Sequence, residues 1–134
     1  MPAKKTFQSA RFRGPVTFDK GVIIEGNGIA SYKLYRALLN QTGVTPPFAT
    51  ILTNTLSGAL VFTRQNDGSY VGTLAGAFPI GKTFATINLT SGENGPALSY
   101  VEVPTSDDIV ITTKALNGDF VDDWQAALEI YVYQ

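Results

Sequence analysis

The 134-residue chain contains no cysteine and no histidine. Without cysteine there is no disulfide and no thiol nucleophile. Without either residue, Ser–His–Asp and Cys–His triads and the usual zinc sites are excluded. Charge is also scarce: 16% of residues are charged, and the formal net charge is −1. Nucleic-acid binding normally needs a strong basic excess, so none is expected. No apolar run approaches the roughly 20 residues that span a bilayer as a helix, and no membrane insertion is expected. The basic N-terminus lacks the apolar core of a secretion signal.

What is present is an ordinary hydrophobic share of 44%, with 13 glycines and many Thr, Ser and Asn. Low charge with this composition suits a β-rich globular chain, since disordered chains are usually more charged. The length fits one core. The charge is unevenly placed. Residues 1–36 hold seven Lys and Arg against Asp19 and Glu25, whereas residues 101–134 hold Lys114 against seven acids. Such asymmetry can steer assembly or docking.

Local patterning is strand-like along most of the chain. Residues 1–30 contain two short apolar pieces, Pro15–Phe18 and Val22–Glu25, set among Gly14, Gly21, Gly26 and Gly28. Pieces this short need a partner or identical chains around them to be stable. Tyr32–Gln41 fits both a helical stripe and strand alternation; the β-like sequence after it favours strand. Phe48–Thr53 comes after a Pro-Pro breaker. Ala59–Arg64 and Ser69–Leu74 flank Gln65-Asn-Asp-Gly68, a hairpin signal because Gly supplies the positive φ of a tight turn. Further strands are expected at Thr83–Leu89, Leu98–Val103, Asp108–Thr113 and Ala127–Tyr133, with one helical turn within Asp119–Ala126. The expected fold class is all-β: an antiparallel β-sandwich, a jelly-roll-like head over residues 31–134, preceded by a glycine-punctuated β segment over residues 1–30.

One motif points toward catalysis. Gly76–Thr83 spells G-x-x-x-x-G-K-T, the pattern of a phosphate-binding loop. That loop must open a helix whose amides hold phosphate. Here Thr-Phe-Ala-Thr-Ile-Asn-Leu comes next, alternating and β-branched, so the motif reads as a turn between strands with Lys82 solvated. Asp119, Asp122 and Asp123, with Asp107 and Asp108, offer oxygen ligands of the kind calcium takes. Their spacing is not that of an EF-hand, and a solvated acidic loop is the simpler reading. Asn40-Gln-Thr42 and Asn88-Leu-Thr90 match glycosylation sequons, which have meaning only in a secreted chain. No catalytic residue, metal or cofactor is assigned, and the chain is expected not to be an enzyme.

The last strand carries more information. Leu128, Ile130 and Val132 share one parity and should enter the core. Glu129, Tyr131 and Tyr133 share the other, and two outward tyrosines suggest burial against another chain. Trp124 is expected to anchor its loop onto the core.

Tyr32–Gly43, Ala49–Leu56, Val61–Arg64, Tyr70–Phe78 and Lys82-Thr-Phe84 together resemble a segment that recurs in structural proteins encoded by bacteriophage and prophage genomes. The resemblance covers roughly residues 32–90. It implies a non-enzymatic virion component of fibre, spike or capsid-decoration type. Such proteins are commonly homotrimers with β-sandwich tips, and a virion protein released by lysis needs no secretion signal. The expected partners are then further copies of the chain, through Tyr131 and Tyr133, and other virion proteins, through Lys4, Lys5, Arg11 and Arg13 of the N-terminal segment. A host-surface glycan is a candidate contact for loops 65–68, 91–96 and 117–123. The alternative is a carbohydrate-binding β-sandwich module of an adhesin or enzyme.

Overall fold

The computed structural model describes residues 31–92 and 97–134. Among these the chain forms eight strands and no helix: β1 Tyr32–Gln41, β2 Phe48–Asn54, β3 Val61–Asn66, β4 Ser69–Thr73, β5 Thr83–Gly92, β6 Ala97–Glu102, β7 Asp108–Ala115 and β8 Trp124–Tyr133. They pair antiparallel in two four-stranded sheets, in the orders β2-β1-β8-β5 and β3-β4-β7-β6. This is the expected all-β sandwich. The N-terminal segment, with Lys4, Lys5, Arg11 and Arg13, lies outside the described residues, as do residues 93–96.

Strand parity decides what fills the space between the sheets. In β1, Tyr35, Ala37, Leu39 and Gln41 are buried, and the residues between them face out. β8 alternates in the same way: Trp124, Ala126, Leu128, Ile130 and Val132 are buried. The helical reading of Tyr32–Gln41 loses because each inward residue meets an inward partner on β8, as in Tyr35↔Ile130 and Ala37↔Leu128. The opposite sheet contributes Tyr70, Ile109 and Ile111, and the β4–β5 connection contributes Phe78. A side chain of this size stabilises by about 1.5–3 kcal/mol when fully buried.

The β3–β4 hairpin turns at Asp67–Gly68, and Gly68 takes φ +65° as the sequence requires. Its carbonyl accepts from the amide of Thr113 at 2.9 Å, which ties the turn to β7.

The expected helical turn within Asp119–Ala126 is not formed. Phe120 bridges to Lys114 in antiparallel fashion, and β8 already begins at Trp124. Asp123 adopts φ +63°, which no right-handed helical turn contains. Side-chain bonds from outside the segment set this path. The Asp123 amide donates to Gln41 Oε1 at 2.7 Å, and Arg64 Nη2 binds Asp122 Oδ2 at 2.6 Å. Trp124 does anchor this segment: it is buried and meets Tyr70 edge-on at a centroid distance of 5.2 Å.

Candidate functional site

Three regions hold chemistry that the core does not use: the outer face of the β2-β1-β8-β5 sheet and the two ends of the sandwich.

The outer face is set by strand register. Tyr32 lies opposite Tyr133, Leu34 opposite Tyr131, Arg36 opposite Glu129 and Leu38 opposite Ala127. On the other side of β8, Phe84 lies opposite Tyr131. Directly opposed residues share a face, so these side chains form one surface. Tyr32 and Tyr131 meet edge-on at 5.3 Å, Tyr32 and Tyr133 lie 5.7 Å apart, and Phe84 and Tyr131 lie 6.4 Å apart. Phe84 is 57% exposed, Leu38 47% and Tyr32 43%. Arg36 and Glu129 are the charged groups on these strands that face outward, and they pair with each other at 3.3 Å. The Tyr131 hydroxyl donates to Glu129 Oε2 at 2.9 Å, and this bond raises the pKa of the tyrosine. The surface is therefore apolar and aromatic, with its own charge already neutralised. Tyr131 and Tyr133 lie on it, as their parity requires. Tyr32 and Phe84 were not singled out from sequence, since only the register of β1 and β5 on β8 brings them in.

The end that carries loops 65–68 and 117–123 is closed by internal bonds. Asp122 sits at its centre. Its carboxylate accepts from Arg64, from the Tyr70 hydroxyl and from the Gly68 amide. Desolvation pushes its pKa up, but these bonds outweigh it and hold the pKa below 3.8. Burial, with a further push from the bond to Asp122, raises Tyr70 well above its ordinary value. Arg64 also reaches Asp67 at 2.5 Å. Beside this cluster Gln41 is fully buried, and its Nε2 donates to the carbonyls of Gly43 and Thr45 at 2.8 and 2.9 Å. The candidate calcium ligands are spent in the same way. Asp122 serves Arg64, Asp123 Oδ1 accepts from the Gly43 amide at 2.6 Å, and Asp119 Oδ2 accepts from Asn117 at 3.0 Å. Among the described residues no group of three acidic side chains is placed to hold a metal ion.

The other end is open. A pocket of about 340 Å³ lies between the start of β1, the β2–β3 connection, the β4–β5 loop and the end of β8. Lys33, Ser57, Lys82 and Gln134 supply its polar rim, and Leu56, Pro79, Ile80, Val132 and Tyr133 its apolar wall. The phosphate-loop pattern lies here, as a turn between β4 and β5. Gly76 and Gly81 take φ +67° and +81°. The Gly76 amide donates to Asp107 Oδ1 at 2.7 Å, Ala77 to Leu74 O at 3.1 Å, Phe78 to Ser106 O at 2.8 Å and Lys82 to Pro79 O at 3.1 Å. Four of the amides that would cradle a phosphate are therefore bonded within the protein, and strand β5 begins where a helix would be needed. Lys82 is exposed, as expected, but it lines a pocket. Lys33 was not singled out. Its signal was parity: it shares a face with Tyr35, Ala37 and Leu39, where a lysine is unusual.

The fold and these surfaces define a class: a two-sheet antiparallel β-sandwich with one apolar outer face, one closed end and one open end. No family model, no curated protein and no solved structure matches the chain.

Proposed function

We propose that the chain is a non-enzymatic structural component of a bacteriophage virion, of spike, head-fibre or decoration type, which assembles as a homotrimer and contacts other virion proteins or a host surface glycan. The apolar aromatic face of β1, β8 and β5 carries this reading. A face with this much exposed aromatic surface and a self-neutralised ion pair is suited to burial against protein. In a closed ring each copy offers two different faces. The second face is available on the β3-β4-β7-β6 sheet, where Val61, Leu98 and Tyr100 are exposed. The resemblance of residues 32–90 to phage structural proteins supplies the virion context.

Sedimentation equilibrium at tens of micromolar tests the assembly. The expected species is a trimer, and replacing Tyr131 and Tyr133 together with serine shifts it to monomer. A monomeric wild-type chain overturns the assembly. A mass-spectrometric inventory of purified virions tests the context: absence of the chain overturns it.

The open pocket favours a second reading, a carbohydrate-binding module that works as a monomer. Strong glycan-array binding by a monomer would decide for it.

A further inference from the structure

The open end pocket has a composition that neither packing nor assembly explains. Lys33 is on the inward parity of β1, opposite Val132, which is almost fully buried. Lys82 immediately precedes Thr83, which lies opposite the same Val132 from the other side. Both lysines line the pocket at the mouth of the sandwich. Among the described residues the ion pairs are Arg36–Glu129, Arg64–Asp67 and Arg64–Asp122, so neither lysine has a carboxylate within 4.0 Å. Among the described residues no Asp or Glu side chain lines the pocket.

We infer that this pocket binds an acidic sugar, with its carboxylate between Lys33 and Lys82 and its ring against Pro79 and Ile80. Three observations select this ligand class. The two ammonium groups complement an anion. Four of the loop amides that could serve the several oxygens of a phosphate are already bonded, which favours a singly charged carboxylate at the lysines. The volume of about 340 Å³ is at the small end for ligand pockets and fits one ring better than a long acyl chain. The wall of Leu56, Pro79 and Ile80 suits the C–H face of a pyranose, and Ser57 and the Gln134 amide group suit its hydroxyls.

This inference rests on the host-glycan part of the proposed function and moves the contact from loops 65–68 and 117–123 to the opposite end. That closed end has paired its arginine with acids, whereas among the described residues Lys33 and Lys82 at this end have no carboxylate within 4.0 Å.

Amide chemical shifts of the 15N-labelled protein, monitored during titration with glucuronate, glucose and acetate, test it. Glucuronate is expected to shift Ser57, Gly76, Ile80, Gly81 and Gln134 saturably, and more tightly than glucose or acetate. Lys33→Ala and Lys82→Ala are each expected to weaken it about tenfold, and added salt to weaken it further. Both lysines are exposed, so both variants should keep the wild-type Trp124 emission. Equal binding of glucose or acetate overturns the inference, as does binding that survives the double lysine variant. Shifts confined to residues 65–68 and 117–123 overturn the pocket but leave the glycan contact standing, whereas no shift with any sugar overturns both. Tyr131→Ser changes assembly and should leave the glucuronate affinity within about twofold.

Discussion

Replacing Gly68 with alanine should be among the most damaging single-methyl changes in this protein, and replacing Gly76 among the mildest at a positive φ. Both residues are left-handed, at +65° and +67°. That conformation costs an L-residue about 1–2 kcal/mol wherever it occurs. The surroundings differ. A Cβ on Gly68 would lie 2.4 Å from the Thr113 carbonyl oxygen, 2.9 Å from the Val121 nitrogen and 3.0 Å from Phe120 Cβ. The first two are backbone atoms and cannot rotate away. The hairpin must lift from β7, which weakens the Thr113 N–H bond to Gly68 O and the Val121 N–H bond to Thr113 O, at 2.9 and 3.2 Å. At about 1 kcal/mol for each bond, the total for Gly68→Ala is about 3–4 kcal/mol. Among the described residues nothing lies within 4 Å of a Cβ added at Gly76, so Gly76→Ala should cost only the conformational part, about 1–2 kcal/mol. Urea unfolding monitored by the emission of Trp124, the single tryptophan, measures both. At a slope of about 1–3 kcal/mol/M, the two midpoints should separate by about 1 M. A Gly68→Ala cost of no more than about 1–2 kcal/mol would refute the packing of the turn against residues 113–121. A Gly76→Ala cost as large as that of Gly68→Ala would refute the description of residues 74–82 as an open turn.

Two further changes probe buried polar groups. The Tyr35 hydroxyl is buried without a hydrogen-bond partner among the described residues, so Tyr35→Phe should be neutral or stabilise by about 1 kcal/mol at neutral pH. Burial pushes its pKa up to about 12 from 10.0. The folded state therefore holds this proton more tightly than the unfolded one. Stability is full below pH 10.0 and falls as pH rises toward about 12, and the phenylalanine variant should lose that part of the alkaline decline in urea midpoints. Asp122 has the opposite sign. Its folded pKa lies below 3.8, so its contribution is full above that value and fades as pH falls through the folded pKa. Asp122→Asn should therefore destabilise at neutral pH, and the gap to wild type should narrow as pH falls below 3.8; a gap that is constant with pH would mean that Asp122 acts by shape and not by charge.

Strand positions were legible wherever the information was local. Asp-Gly fixed the β3–β4 turn because a positive φ at Gly68 is a property of one residue. The parity of β8 was readable because Leu128, Ile130 and Val132 alternate with Glu129, Tyr131 and Tyr133. Asp119–Ala126 departs from its local pattern because its path is set from a distance. Gln41 and Arg64 lie some 80 and 60 residues upstream of their partners Asp123 and Asp122, and no local propensity encodes those bonds. The aromatic face was half visible for a related reason. Tyr131 and Tyr133 are neighbours in sequence, but Tyr32 and Phe84 join them only once β1 and β5 flank β8.

The G-x-x-x-x-G-K-T pattern shows how far a motif depends on the element it leads into. A phosphate loop works because its amides are unpaired and a helix dipole stands behind them. In this chain four of those amides are bonded to Leu74, Pro79, Ser106 and Asp107, and the loop leads into strand β5. What survives of the motif is its lysine. Lys82 is held at the mouth of the sandwich because Tyr133 donates its amide to the Lys82 carbonyl at 2.8 Å, which fastens the loop to the end of β8. The same fastening brings Lys82 to the pocket that Lys33 lines from β1. The two ends of the sandwich then differ in a way that bears on ligand choice. At the Asp122 end, Arg64 is already paired with Asp67 and Asp122, and a ligand would have to break bonds already made. At the Lys33 end, two cations have no acidic partner among the described residues, and an anion entering there breaks none.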